Sequence, residues 1–439
     1  MFTFDEVQKQ DPEVYKTLIG EMRRELEGVE LIASENYVTP AVLQALGSHF
    51  TNKYSEGYPG RRYYAGQKFT DQVETIAIER AKALFGCDHA NVQASSGAAA
   101  NIAVYTAWME IGDTILGMDL THGGHLTHGA PVTHMAKFYN FVRYKMKDVE
   151  TGEIDYEGLR EVAKKEKPKI ILAGFSAFPR TIDYAAIKSI ADDVGAIAMA
   201  DMAHIAGLIA AGVLRNPFDD GFEVFTTTTH KTLRGPRGAL IMSKGTVGNP
   251  LKAPEKTIEN LPTLIDRSIF PGLQGGPHMH QTAAIAVALG EAQKPEFKAY
   301  SQQILKNAKH MAQQFMEKGC KLVTNGTDNH LMVMDCVKSF GINGKQTEEI
   351  WEHININTSK STIPDDENPP YKPSGVRIGT PAMTTRGMKE PEIEKLVDFM
   401  MKAIEIRNDD AALDTLKGEV QEFCCSYPVP AIDPAAWET

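Results

Sequence analysis

Lys231 stands in TTTTHKTLRGPRG (226–238), behind a threonine-rich run that closes a strand-like segment and inside a short, glycine-rich loop. Most lysines coat a solvated surface, but this loop suits an amine that forms a Schiff base with an aldehyde. Two further features give that chemistry its partners. Asp201 ends the strand-like run GAIAMAD (195–201). An acid buried among apolar residues is costly unless a cation faces it. A protonated pyridine nitrogen is such a cation, and the pairing strengthens a pyridinium ring as an electron sink. The plainer reading of Asp201 is an N-cap for MAHIAG. SSGAAAN (95–101) is a strand-to-helix turn of tiny residues, where backbone N–H groups and the helix dipole converge on a phosphate. Taken singly, such a turn is usually structural. Together, phosphate cup, pyridinium partner and lysine, in that chain order on neighbouring strand ends, make a pyridoxal-phosphate (PLP) site.

The elements that must hold these groups read as α/β. Short β-rich runs at 113–120, 168–178, 195–204 and 223–231 alternate with helical segments such as DYAAIKSIADDVG (183–195), the pattern of buried parallel strands. TDQVETIAIERAKALFG (70–86) has helical spacing, and HANVQASSG (89–97) is a short strand entering the small-residue turn. At 439 residues the chain exceeds the size at which one core keeps growing. It divides on this reading into an N-terminal helical arm (1–40), a large PLP-binding domain with a mostly parallel sheet (41–290) and a smaller C-terminal α/β domain (291–439). A net charge of −11 without a basic block disfavours nucleic acid and anionic membrane, and no apolar stretch is long enough to span a bilayer. Five cysteines without a CxxC pair argue against a disulfide framework or a zinc ribbon. With a polar, acidic beginning, MFTFDEVQKQDPEVY, they set a cytoplasmic expectation. His122, His125 and His128 lie three apart, but Gly123–Gly124 interrupts the rigid helix such ligation wants, so no metal is expected.

LIASEN (31–36), NKYSEGYPGRRYY (52–64), MDLTHGGHLTHG (118–129), DMAHIAG (201–207), TTTTHKTLRGPRG, FPGLQGGPH (270–278) and SGVRIGTPAMTTRG (374–387) closely resemble the serine hydroxymethyltransferase family, nearly end to end and in its order. The resemblance implies the aspartate-aminotransferase-like fold of PLP enzymes. It also implies a homodimer or homotetramer with active sites at the subunit interface. The reaction implied is the reversible interconversion of L-serine and tetrahydrofolate with glycine and methylenetetrahydrofolate. On this match Lys231 carries the Schiff base and Asp201 pairs the pyridine nitrogen. Ser96, Gly97 and His230 hold the phosphate side, with Gly275 and Gly276 from the partner subunit, and Ala98, Ser176 and Tyr54 also bind the cofactor. His125 stacks on the ring and His204 contacts its phenolic oxygen. Arg377 grips the substrate carboxylate. Glu56 transfers a proton, with Ser34, Tyr54 and Tyr64 around the substrate and Tyr54 from the other subunit. Glu56, Tyr63, Tyr64, Leu120, Gly124, His125, Leu126, Ser361 and Tyr371 form the folate wall.

The match departs from the family pattern at Ala94, Ala99 and Phe178. It departs more consequentially in SKSTIPDDENPPY (359–371), where Ser361 takes the place of an asparagine and Asp365 that of a phenylalanine. Losing a directed amide hydrogen bond to the pterin is an effect of about 1 kcal/mol or more. The departure leaves open a folate-independent PLP aldolase or hydroxymethyltransferase acting on α-methylserine or other β-hydroxy amino acids.

Overall fold

The computed structural model describes residues 4–433; the last residues of the tail CCSYPVPAIDPAAWET lie outside that range. The chain forms two compact units, residues 45–301 and residues 1–44 with 302–439. The sequence reading separates 1–40 as an arm and changes domain at 290. In the structure residues 1–44 cluster with the C-terminal segment, and the change falls within the helix Pro295–Glu317. That helix runs unbroken through the boundary, so no turn signal marks it.

Unit 45–301 is built on a seven-stranded sheet of β1 (His89–Asn91), β2 (Thr114–Met118), β3 (Asn140–Tyr144), β4 (Ile170–Gly174), β5 (Ile197–Asp201), β6 (Val224–Thr228) and β7 (Ala239–Ser243). Their spatial order is β1-β7-β6-β5-β4-β2-β3, and only β7 runs antiparallel to its neighbours. Strands β4, β5, β6 and β7 are buried along their whole length, which is why they read as continuous β-rich runs rather than alternations. Asp201 pairs with Gly174 on one side and Thr226 on the other, so β4 and β5 finish level while β6 runs two residues further, to Thr228. One core cluster gathers Ile170, Leu172, Ile197, Met199, Val224 and Ile241 from the sheet with Ala103, Val104 and Tyr105 of helix Gly97–Trp108. Burying side chains of this size stabilises the layer by about 1.5–3 kcal/mol each.

The other unit carries an antiparallel four-stranded sheet in the order Lys321–Leu322, Leu331–Asp335, Gly375–Gly379, Ser359–Ser361. Its core includes Phe315, Met332, Trp351, Val376, Ile378 and Leu396. Val29–Glu30 pairs in parallel with Ile356–Asn357, and the Leu31 carbonyl accepts the Gly379 N–H at 2.8 Å. The LIASEN segment is thereby laid against the strand that holds Arg377. Arg386 donates to the main-chain carbonyls of Leu26, Gly28 and Cys424 and clamps three segments of this unit together. Among the described residues no helix is long and apolar enough to cross a membrane.

Candidate active site

In unit 45–301 the chemistry-bearing residues gather at the carboxyl ends of the parallel strands, where open α/β sheets bind ligands. The loop after β2 brings His125, that after β4 brings Ser176, and β5 ends on Asp201 with His204 three residues on. His230 and Lys231 follow β6. The turn after β1 leads into helix Gly97–Trp108, whose N-cap Ser96 accepts from the Ala99 N–H at 3.3 Å.

Hydrogen bonds close the Lys231 loop. Thr229 N–H donates to Gly238 O at 3.0 Å, Gly235 N–H to Thr229 O at 2.7 Å, and the Thr229 hydroxyl to Pro236 O at 2.6 Å. The Thr232 hydroxyl donates to His204 O at 2.9 Å and accepts the Gly207 N–H at 3.0 Å. The loops after β5 and β6 are therefore fastened to each other beside Lys231.

Asp201 is the electrostatic centre. Its Oδ2 accepts from Asn101 Nδ2 at 2.8 Å and from His128 Nε2 at 2.9 Å, and its Oδ1 from the Ala203 N–H at 3.2 Å. His128 is buried, and its Nδ1 accepts the His125 N–H at 3.1 Å, so the ring proton sits on Nε2 and points at the carboxylate. Burial pushes the Asp201 carboxyl upward and is the largest single influence. The His128 hydrogen bond, the two neighbouring histidines and Asn101 together outweigh it and hold the group well below the usual carboxylate range. Asn101 is fixed in turn by Thr226, which donates to its Oδ1 at 2.7 Å, and donates to Thr127 Oγ1 at 2.8 Å.

His125, His128 and Asp201 bring ligand-type atoms within 4.8 Å of one another. A short 3-10 turn at Leu126–His128, rather than a helix, brings the two rings together. His128 Nε2 is engaged by Asp201 and His125 Nδ1 by Thr127, whose Oγ1 lies at 2.8 Å. His122 turns elsewhere and accepts the Met146 N–H at 3.2 Å. Gly123 holds φ +108°, and a Cβ there would lie 2.8 Å from the Phe178 nitrogen. Its carbonyl accepts the Ser176 N–H at 2.7 Å, joining the His125 loop to the Ser176 loop.

Tyr54, Glu56, Tyr63 and Tyr64 form a second group. The Tyr54 and Tyr64 rings meet edge-on at 5.3 Å, and Tyr54 and Tyr63 each expose more than half their surface. Gly275 and Gly276 abut this group: a Cβ at Gly275 would lie 3.6 Å from Glu56 Oε1, and one at Gly276 3.2 Å from the Tyr54 ring. The segment is anchored by buried Glu74, which accepts from Arg62 at 2.5 Å and from Gln93 at 2.7 Å. Arg62 also donates at 2.9 Å to the Ser55 and Gly57 carbonyls that flank Glu56. Leu120 and Gly124 lie in the loop after β2, and Leu126 is half exposed.

In the other unit, Arg377 Nη2 donates to Ser34 Oγ at 3.3 Å. Burial lowers its pKa to about 10, partly offset by Glu35, so it stays a cation at neutral pH. Ser361 lies on the adjoining strand with its hydroxyl donating to Thr362 O at 3.1 Å. Asp366 organises the following loop, accepting from Ser374 Oγ at 2.6 Å and from the N–H groups of Ser374 and Asn368 at 2.9 Å. Asp365 sits at φ +51°, a left-handed conformation that suits Asp better than bulkier residues. Tyr371 is exposed in the same loop.

The residues fit pyridoxal phosphate. Ser95 and Ser96 are exposed at the start of a helix whose first N–H groups attract an anion, and a Cβ at Gly97 would press to 2.8 Å from Thr228 Cγ2. Ionised, buried Asp201 suits a pyridinium. His230 Nδ1 is buried without a hydrogen-bond partner among the described residues. Burial, with Arg237 and Lys231 nearby, lowers the His230 pKa to about 3, which keeps the ring neutral.

A mostly parallel sheet with these groups at its carboxyl edge is the architecture of the fold type I PLP-dependent enzymes. Residues 7–400 match the family model for serine hydroxymethyltransferase, and the chain belongs to that family of PLP-dependent glycine/serine hydroxymethyltransferases.

Proposed function

We propose that this enzyme interconverts L-serine and tetrahydrofolate with glycine and methylenetetrahydrofolate, with the cofactor attached to Lys231. The observation that carries this reading is the ionised Asp201 at the end of β5, held by His128, Asn101 and Ala203. When bound, pyridoxal phosphate supplies the sink for the electron pair left at the substrate α-carbon as the hydroxymethyl carbon departs. The chain's own residues supply the rest. Asp201 keeps a proton on the ring nitrogen, because its carboxylate remains ionised throughout the physiological range. The helix N-terminus at Ser96–Gly97 and neutral His230 would receive the phosphate, with Gly275 and Gly276 of a second copy, and Ala98 and Ser176 would bind the cofactor beside them. His125 would hold the ring of the cofactor and His204 its phenolic oxygen.

Arg377, positioned by Ser34, grips the substrate carboxylate in a two-pronged geometry that lysine cannot reproduce. Arg377→Lys should therefore raise KM for serine roughly 30- to 150-fold, about 2–3 kcal/mol, with a smaller change in kcat. Steady-state kinetics over a wide serine range checks this. Glu56 moves the proton at the serine hydroxyl, with Tyr54 and Tyr64 lining the substrate. Leu120, Gly124, Leu126, Tyr63, Ser361 and Tyr371 line the folate side. The exposed tyrosines around Glu56 support a homodimer or homotetramer in which this segment meets another copy. Five free cysteines support a cytoplasmic address.

Ser361 supports a second reading, a PLP aldolase or hydroxymethyltransferase that needs no folate. Its hydroxyl already serves Thr362 O and is shorter than the family's asparagine amide. Turnover of L-serine with and without tetrahydrofolate, beside α-methylserine and L-allo-threonine, separates the two. Serine cleavage that requires tetrahydrofolate is the expected result. Cleavage of a β-hydroxy amino acid that folate leaves unchanged would replace it with the aldolase. On the first outcome Ser361→Asn should lower KM for tetrahydrofolate about fivefold, near the ~1 kcal/mol of one hydrogen bond.

A further inference from the structure

Gln274 precedes the glycine pair that abuts Glu56, yet its side chain serves a different segment. Its Nε2 donates to the Gln93 carbonyl at 2.8 Å, and its Oε1 accepts the Ser95 N–H at 3.0 Å. One amide thus spans the two residues on either side of Ala94, at the mouth of the turn that opens helix Gly97–Trp108. Gln93 continues the connection, since its own Nε2 donates to Gly57 O at 2.9 Å and to Glu74 at 2.7 Å, beside Glu56. The backbone of Gln274 is fixed separately, its N–H donating to Ile269 O at 2.9 Å.

We infer that Gln274 is a positioning residue that sets the phosphate turn and the Glu56 segment in register with each other. The inference rests on the proposed reaction only for the role of Glu56; the hold on the phosphate turn is independent of it. An amide suits the place because it offers one donor and one acceptor to main-chain groups of opposite kind. Leucine loses both bonds. Glutamate keeps an acceptor for Ser95 but sets a carboxylate against the Gln93 carbonyl.

The test measures PLP affinity by titrating apoprotein and serine kinetics with tetrahydrofolate, for Gln274→Leu and Gln274→Glu, each with Glu56 intact and as Glu56→Gln. Gln274→Leu should weaken PLP binding about tenfold and lower kcat at least about tenfold, with KM for serine within about twofold, since small misplacements of a reacting group cost this much or more. Gln274→Glu should bind PLP within about threefold of the parent while kcat still falls, because only the Gln93 side is broken. With Glu56→Gln, the further loss in kcat from Gln274→Leu should vanish while the loss in PLP affinity persists. Unchanged PLP affinity in Gln274→Leu, or an undiminished kcat loss when Glu56 is already replaced, overturns the inference. Should Gln274→Leu fail to fold, the split between affinity and kcat in Gln274→Glu decides. An inactive parent enzyme defeats the proposed reaction instead, and PLP affinity then decides the Gln274 inference on the phosphate-turn side alone.

Discussion

Replacing Lys231 with alanine should lower serine turnover by about 10⁴-fold or more, the scale seen when an enzyme loses its covalent nucleophile. The protein should nevertheless fold and take up pyridoxal phosphate. The loop around Lys231 is closed by main-chain and threonine hydrogen bonds: Thr229 with Gly235, Pro236 and Gly238, and Thr232 with His204 and Gly207. The phosphate turn and Asp201 are likewise untouched. Borohydride treatment should fix the cofactor to the parent protein by reducing the Schiff base and leave it without a covalent link in Lys231→Ala, as mass spectrometry would show. Covalent retention in the variant would mean that a different amine holds the cofactor, and Lys231 would lose its role.

The parts of the fold legible in the sequence are those whose signals are local. The strand that ends on Asp201 and the one that leads to Lys231 read as continuous β-rich runs because they are buried along their whole length, and their bounds fall within a few residues of the expectation. The helical segment read at DYAAIKSIADDVG is the helix Tyr184–Val194, which Asp183 caps through the Ala186 N–H at 3.0 Å. Asp201 carried two readings, pyridinium partner and cap. The helix there begins at Ala206 with Ile205 at its N-cap, so Asp201 caps no helix: its Oδ1 accepts the Ala203 N–H in a local turn while Oδ2 faces His128 and Asn101.

What stayed illegible is set by distance along the chain. Asn101 reaches Asp201 across 100 positions, and Gln274 reaches Gln93 across 181. No spacing rule links residues so far apart. His128 stood in a motif already singled out, but only as one of three evenly spaced histidines. A short turn between His125 and His128 decides which face of Asp201 the ring meets, and a turn of three residues leaves no periodicity to read. The pairing of Arg62 with Glu74 behind Glu56 was hidden for a related reason. An arginine and a glutamate in sequence are ordinarily solvated, and only the packed structure buries them.

Asp201→Asn should lower kcat about a hundred- to a thousandfold, the range for removing one electrostatic element aimed at developing charge. The asparagine is nearly isosteric, so the loss reflects charge and donor–acceptor matching rather than shape. At present two donors, His128 Nε2–H and Asn101 Nδ2–H, converge on one anionic oxygen. An asparagine carbonyl there accepts more weakly, and the opposite orientation sets an NH₂ against both donors. The folded protein should lose about 1–3 kcal/mol, the cost of leaving buried donors poorly paired. The dependence on pH fixes the cause. Because the native carboxyl pKa lies below the ordinary value, ionised Asp201 stabilises the fold above about pH 4 and ceases to do so as the pH falls toward its depressed native pKa. The stability difference between the parent apoprotein and Asp201→Asn should therefore stay constant from about pH 5 to pH 8 and shrink below about pH 4. Chemical denaturation across that range measures it. A difference that holds undiminished into acid would mean that packing rather than charge separates the two proteins, and that the carboxylate is not the group His128 and Asn101 were arranged to hold.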